Sequence, residues 1–180
     1  MKRILLGLLA AIVLFLGYAA TRPDTFHVER SASIAAPPAA VWPHLVDFHR
    51  WQAWSPWEKL DPDLKRTYSG SASGKGAVYA WEGNAKVGKG RMEITDPTTP
   101  SLITIKLDFL APFEAHNIAE FSLEPEGDAT KVTWTMTGPS PYFPAKIMQV
   151  FISMDSMVGK DFEKGLANLG TAAEEASRRA

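Results

Sequence analysis

Residues 102–110, Leu102-Ile103-Thr104-Ile105-Lys106-Leu107-Asp108-Phe109-Leu110, set Ile103, Ile105, Leu107 and Phe109 against Thr104, Lys106 and Asp108. Successive side chains of a strand point to opposite faces, so this stretch is a strand with one dry and one wet side. That pattern belongs to an antiparallel sheet packed on one face only. The alternation continues outward in both directions. Toward the C-terminus, Asn117, Ala119, Phe121 and Leu123 oppose Ile118, Glu120, Ser122 and Glu124. After the turn Glu126-Gly127-Asp128, Val132, Trp134 and Met136 oppose Lys131, Thr133, Thr135 and Thr137. Toward the N-terminus, Met92 and Ile94 oppose Arg91, Glu93 and Thr95 in a strand closed by Asp96-Pro97. Tyr79 and Trp81 oppose Ala80 and Glu82, and Leu64, Arg66 and Tyr68 oppose Lys65 and Thr67, with turns at Gly83-Asn84 and from Gly70 to Gly76. The first strand starts at Thr25 and places Phe26, Val28, Ala32 and Ile34 on one side, where Arg30 is the one charged residue.

The segments at either end of this pattern change period. Pro37-Pro38 ends the first strand and opens a helix through Ala39, Val41, Trp42, Leu45 and Val46, with Pro43 close enough to its start to be tolerated. The segment Phe48 to Pro62 then carries Trp51, Trp54 and Trp57 at intervals of three, and Pro56 forces Ser55 out of the α region. It has the composition of a short amphipathic lid or plug. Beyond Gly138-Pro139-Ser140-Pro141, the apolar residues Ile147, Phe151, Met154, Val158, Phe162, Leu166, Leu169 and Ala173 recur every three or four positions. One long helix is expected there, kinked near Asp155 or Gly159. The fold class is α+β: a strongly curved antiparallel sheet of about seven strands wrapped around a long C-terminal helix, with two short helices after the first strand.

Ahead of this domain, Lys2 and Arg3 precede the uncharged run Ile4 to Ala20. At ~1.5 Å per residue the run just suffices to cross a hydrocarbon core, so it is a membrane helix or a signal peptide. Gly17-Tyr18-Ala19 matches a cleavage site only weakly, which favours a retained anchor. In both cases the positive residues stay inside and the rest crosses, leaving the domain periplasmic or extracellular, and secreted if residues 1–20 are cleaved. The expected organisation is an anchor or signal peptide at 1–20, a tether at 21–24 and one domain at 25–180.

With 19 basic and 20 acidic residues and no long run of either sign, a nucleic-acid partner is not expected. The absence of cysteine excludes disulfides, thiolate metal ligands and cysteine nucleophiles. His27, His44, His49 and His116 are scattered, without the spacing of a metal site, and no metal or cofactor is expected. His44 and Asp47 lie three apart and suggest an exposed helix pair. The loop Gly70-Ser71-Ala72-Ser73-Gly74-Lys75-Gly76 is one residue short of a phosphate loop and lacks its final Ser/Thr; a nucleophile elbow is also missing.

The order of elements carries a family resemblance. So do the strings Trp54-Ser55-Pro56-Trp57-Glu58-Lys59, Tyr79-Ala80-Trp81-Glu82-Gly83-Asn84, Lys131-Val132-Thr133-Trp134 and Asp161-Phe162-Glu163-Lys164-Gly165-Leu166. From about Phe26 to Ala176 the chain resembles the SRPBCC superfamily, and within it the bacterial polyketide-cyclase/dehydratase-like proteins with an N-terminal hydrophobic segment. The resemblance implies the helix-grip fold shared with START lipid-transfer domains and the birch pollen allergen. It transfers no activity, because the superfamily includes carriers, receptors and cyclases.

A bent sheet gripping a helix leaves a gap that side chains fill or leave open as an apolar cavity. Tyr79, Trp81, Met92, Ile105, Leu107, Phe109, Phe121, Trp134, Met136, Phe151, Met154, Val158 and Phe162 are expected to face it. From these and the lid, the ligand-binding set is Trp54, Trp57, Tyr79, Trp81, Phe109, Phe121, Trp134, Phe151, Met154 and Phe162. Glu82 and Arg91 join it as a pair that would orient a polar head group, unless they lie with Glu93, Asp108, Glu114, His116 and Asn117 on the solvated convex face. The leading expectation is a membrane-tethered domain outside the cytoplasm that binds a hydrophobic small molecule or lipid. Two alternatives stand beside it: a cyclase-like enzyme using His116 or Glu82 for acid/base catalysis, and an interaction module with a filled core.

Overall fold

The computed structural model describes residues 1–99, 101–140 and 142–179; Pro141 of the predicted breaker and Ala180, the end of the expected domain, lie outside them. Seven strands, β1 (Thr25–Ile34), β2 (Lys65–Gly70), β3 (Ala77–Glu82), β4 (Lys89–Thr99), β5 (Leu102–Ala111), β6 (Ala115–Glu126) and β7 (Ala129–Pro139), form one antiparallel sheet in the order β1-β7-β6-β5-β4-β3-β2. Strands β2 to β7 are joined by successive hairpins. The first strand pairs with the last, Val28 opposite Met136 and Arg30 opposite Trp134. Consequently β1 and β2, consecutive in sequence, sit at opposite edges of the sheet.

Residues 35–64 must therefore cross from edge to edge, and they do so as α2 (Pro38–Val46), a 3-10 turn (Phe48–Arg50) and α3 (Trp51–Trp54). The crossing carries the tryptophans over the concave face, beside the helix that the sheet grips, α5 (Met154–Arg179). Trp54 is fully buried, and its indole donates to the His44 carbonyl at 3.0 Å; Trp51 donates to Leu45 O at 3.1 Å. The ring centroids of Trp51 and Trp54 are 4.7 Å apart. Ser55 is extended, as a residue before proline must be.

Two boundaries differ from those expected. Strand β4 does not stop at Asp96-Pro97 but runs to Thr99, with register shifts on both sides of Asp96. A bulge admits a proline that a regular ladder would not, and it bends the sheet. The C-terminal helix is two helices, α4 (Phe143–Phe151) and α5, separated by the extended residue Ile152. Ser153 causes the break by capping a new helix: its Oγ accepts the Ser156 N–H at 3.1 Å. The buried face of α5, from Gly159 through Phe162, Leu166 and Leu169 to Ala173, lies along β1 and the crossing segment.

Upstream, α1 (Lys2–Ala20) is long and apolar enough to cross a membrane. Its Phe15 ring meets Phe151 of α4 at 5.7 Å. The polar side of α4 is tied to the segment after α1 by Lys146, whose ammonium lies 2.6 Å from Asp24.

Candidate ligand cavity

The gap between sheet and α5 is an open cavity of about 220 Å³. Its floor is the concave face: Tyr79 and Trp81 of β3, Met92 of β4, Leu107 and Phe109 of β5, Ala119 of β6, and Trp134 and Met136 of β7. Val158 and Phe162 of α5 form one wall, and Trp51, Ser55, Trp57, Glu58 and Leu64 of the crossing segment form the other. Val87 and the exposed Lys86, in the turn between β3 and β4, lie at the mouth. The surface is largely hydrocarbon and aromatic carbon, suited to expelling water in favour of an apolar guest.

Two glycines make room for the rings and a third for a guanidinium. Gly90 lies opposite Trp81, and a Cβ there would occupy the indole's position; without one, the ring lies across the strand and donates to Val87 O at 3.0 Å. Trp134 stacks on Phe162 at 4.0 Å, with Trp57 edge-on at 5.7 Å, and is admitted by Gly165, whose added Cβ would stand 2.8 Å from the ring. Gly159 leaves room for Arg30, the charged residue on the apolar side of β1. That guanidinium is not a cavity group. It clamps α5 from outside, reaching Asp155 at 2.6 Å and Glu163 at 2.8 Å.

The wall carries a buried polar cluster, and the Trp134 indole N–H in the floor has no partner among the described residues. Glu58, 7% exposed, accepts the Tyr79 hydroxyl at 2.6 Å on Oε1 and Arg66 Nε at 2.6 Å on Oε2. Burial, and next the bond to the Glu58 carboxylate, push the Tyr79 phenol well above its ordinary range, so Tyr79 remains a protonated donor at neutral pH. Ser55, 6% exposed, also lines the cavity, and its Oγ has no hydrogen-bond partner among the described residues.

Of the predicted set, Trp57, Tyr79, Trp81, Phe109, Trp134 and Phe162 line the cavity. Trp54 and Phe121 are buried behind its wall, and Met154 packs against the core without lining it. Phe151 is 73% exposed, because the break at Ile152 turns α4 away from the sheet. Glu82 and Arg91 are on the other face: Glu82 pairs with Lys89 at 3.2 Å and Arg91 with Glu93 at 2.6 Å. Asp108 and His116 belong to the same face, 2.7 Å apart. Burial opposes the Asp108 charge, but hydrogen bonds from His116 and Lys106 outweigh it and hold the carboxyl below its ordinary range, while Asp108 raises His116. Neither His116 nor Glu82 reaches the cavity. Glu58 and Ser55 were not in the predicted set, and their only signal was their place in the tryptophan segment. His44 is buried rather than exposed, and Asp47 hydrogen-bonds His49 instead. Among the described residues no three His, Cys, Asp or Glu groups converge on a metal position.

A curved antiparallel sheet, a gripped helix and a cavity between them define a helix-grip protein of the SRPBCC superfamily. The family model described as polyketide cyclase/dehydrase and lipid transport matches residues 25–174, and the chain belongs to that family. The fold is shared with the Zhui aromatase/cyclase of a Streptomyces species, at 16% identity and a TM-score of 0.57 over 83% of this chain and 94% of that one. A protein from Thermus thermophilus is similar at 19% identity and a TM-score of 0.57, covering 84% and 99%. The protein Ara h 8.0201 is similar at 13% identity and a TM-score of 0.55, covering 87% and 99%. No curated protein sequence matches the chain significantly.

Proposed function

We propose that this protein binds a compact hydrophobic molecule between sheet and helix, in a domain tethered to the membrane by α1 and lying outside the cytoplasm. The observation that carries the binding reading is the apolar cavity of about 220 Å³. A cavity of roughly 150 Å³ accommodates benzene, and drug-sized ligands occupy about 300 Å³ or more, so one or two fused rings or a short chain is the size that fits. Tethering is supported by the length and hydropathy of α1, and the outside location by Lys2 and Arg3 at its N-terminal end. Binding is favoured over proton-transfer catalysis because burial keeps the Tyr79 phenol from giving up its proton near neutral pH and Glu58 is already engaged by two donors.

The test is an organic-solvent extract of the purified full chain, analysed by mass spectrometry, with naphthalene titration of the emptied protein in lipid nanodiscs. A co-purifying hydrophobic molecule and saturable naphthalene binding are expected. Met136→Trp, which fills the cavity, abolishes both. An empty extract together with binding unaffected by Met136→Trp overturns the reading.

A further inference from the structure

The cavity's carboxylate cluster has an unusual distribution of charge. Arg66 spends its donors on the protein: Nε on Glu58 Oε2, Nη2 on Glu58 O at 2.9 Å and Nη1 on Leu64 O at 3.1 Å. It is not among the lining residues. The cation is thus turned away from the cavity, while its carboxylate partner forms part of the wall. A carboxylate has about four acceptor sites, of which Tyr79 and Arg66 fill two. Ser55 adds a hydroxyl, free among the described residues, that donates or accepts.

We infer that the cavity selects a neutral, hydroxyl-bearing ring compound over an anionic one, with Glu58 as the residue that determines the preference. This rests on the binding reading above. A ligand hydroxyl donates to a remaining Glu58 lone pair, a bond strengthened by the acceptor's charge. A ligand carboxylate placed there faces Glu58 with no free guanidinium to compensate, and like charges at close range in a desolvated site repel. An anionic head group therefore turns to Lys86 at the mouth, the one cation among the lining residues, or to neutral donors such as the Trp134 indole N–H, which carry no compensating charge.

Three probes of nearly equal size separate these cases: naphthalene, 2-naphthol and 2-naphthoate. Each is titrated into the full chain in lipid nanodiscs, with empty nanodiscs correcting for partition. The expected order is 2-naphthol tightest, by roughly ten-fold or more over naphthalene, the effect of one hydrogen bond to a charged group, and 2-naphthoate weakest. Glu58→Gln narrows the gap between 2-naphthol and 2-naphthoate. Since that change strands Arg66, the double variant Glu58→Gln/Arg66→Gln removes both charges together and gives the same narrowing if the single variant does not fold. Naphthalene binding as tightly as 2-naphthol, or 2-naphthoate binding tightest and losing affinity in Lys86→Ala, overturns the selection but leaves the binding reading standing. If none of the three binds, both fall.

Discussion

At the scale of single residues, the cavity depends on positions that carry no chemistry. Gly90 is the clearest, because the Trp81 ring occupies the space a side chain would need. Gly90→Val is expected to displace Trp81 from the wall, costing about 1–3 kcal/mol as an overpacked site does and weakening naphthalene binding. Urea unfolding and the titration read the two effects, and an unchanged affinity would show that Trp81 does not shape the site. His44 illustrates another residue-scale cost. Both ring nitrogens are buried without a partner among the described residues, and burial, reinforced by Arg50, pushes the imidazole below its ordinary value of 6.5. The unfolded chain takes up that proton first, so stability present above the ordinary value is lost as the pH falls toward the lowered one. Between about pH 7 and pH 5, thermal unfolding of the wild type should drop more steeply than that of His44→Leu. Equal slopes would remove His44 from the account.

The tryptophan segment shows how one element divides its labour. Trp54, fully buried, packs edge-on to Phe121 at 5.9 Å and to Trp134 at 5.6 Å, behind the cavity. Trp57, half-buried, lines it. Trp54→Ala is therefore expected to cost about 3–5 kcal/mol in urea unfolding, the loss typical of a core aromatic. Trp57→Ala should cost less and lower naphthalene affinity more. The reverse ranking would make Trp54 the movable rim. Helix α4 has the opposite character: an amphipathic helix with no buried residue, on which Phe143, Met148 and Phe151 are exposed. Exposed apolar surface of this kind marks an interaction site.

For the whole molecule, α1 and α4 together suggest an orientation. The Phe15–Phe151 contact brings α4 to the side of the apolar helix, and Lys146 turns its polar side to the tether. With α1 spanning a bilayer, the exposed face of α4 would lie at the headgroup boundary, as interfacial helices do. The chain contains no cysteine, so Met148→Cys accepts a single spin label. In nanodiscs that label should be more accessible to oxygen than to a water-soluble nickel complex, and equal accessibility to the two would place α4 in water.

Much of this architecture is local and therefore legible in the amino-acid order. Period-two alternation in Thr25–Ile34 and from Lys65 to Gly138, with the three-to-four spacing after it, determines a one-sided antiparallel sheet and a helix, and the short strings carry the resemblance to the family whose model matches residues 25–174. Even the outward position of Glu82 and Arg91 was implicit, since alternation that points Trp81 and Met92 inward points their neighbours out. What only the tertiary structure decided is which distant groups meet. Glu58, Arg66 and Tyr79 come from the crossing segment and two strands, and they converge because the first strand pairs with the last and forces residues 35–64 across the concave face. The helix break at Ile152 is of the same kind: the apolar spacing runs through it unchanged, and only the Ser153 cap and the packing of α5 on β1 separate the residues that enter the core from those that leave it.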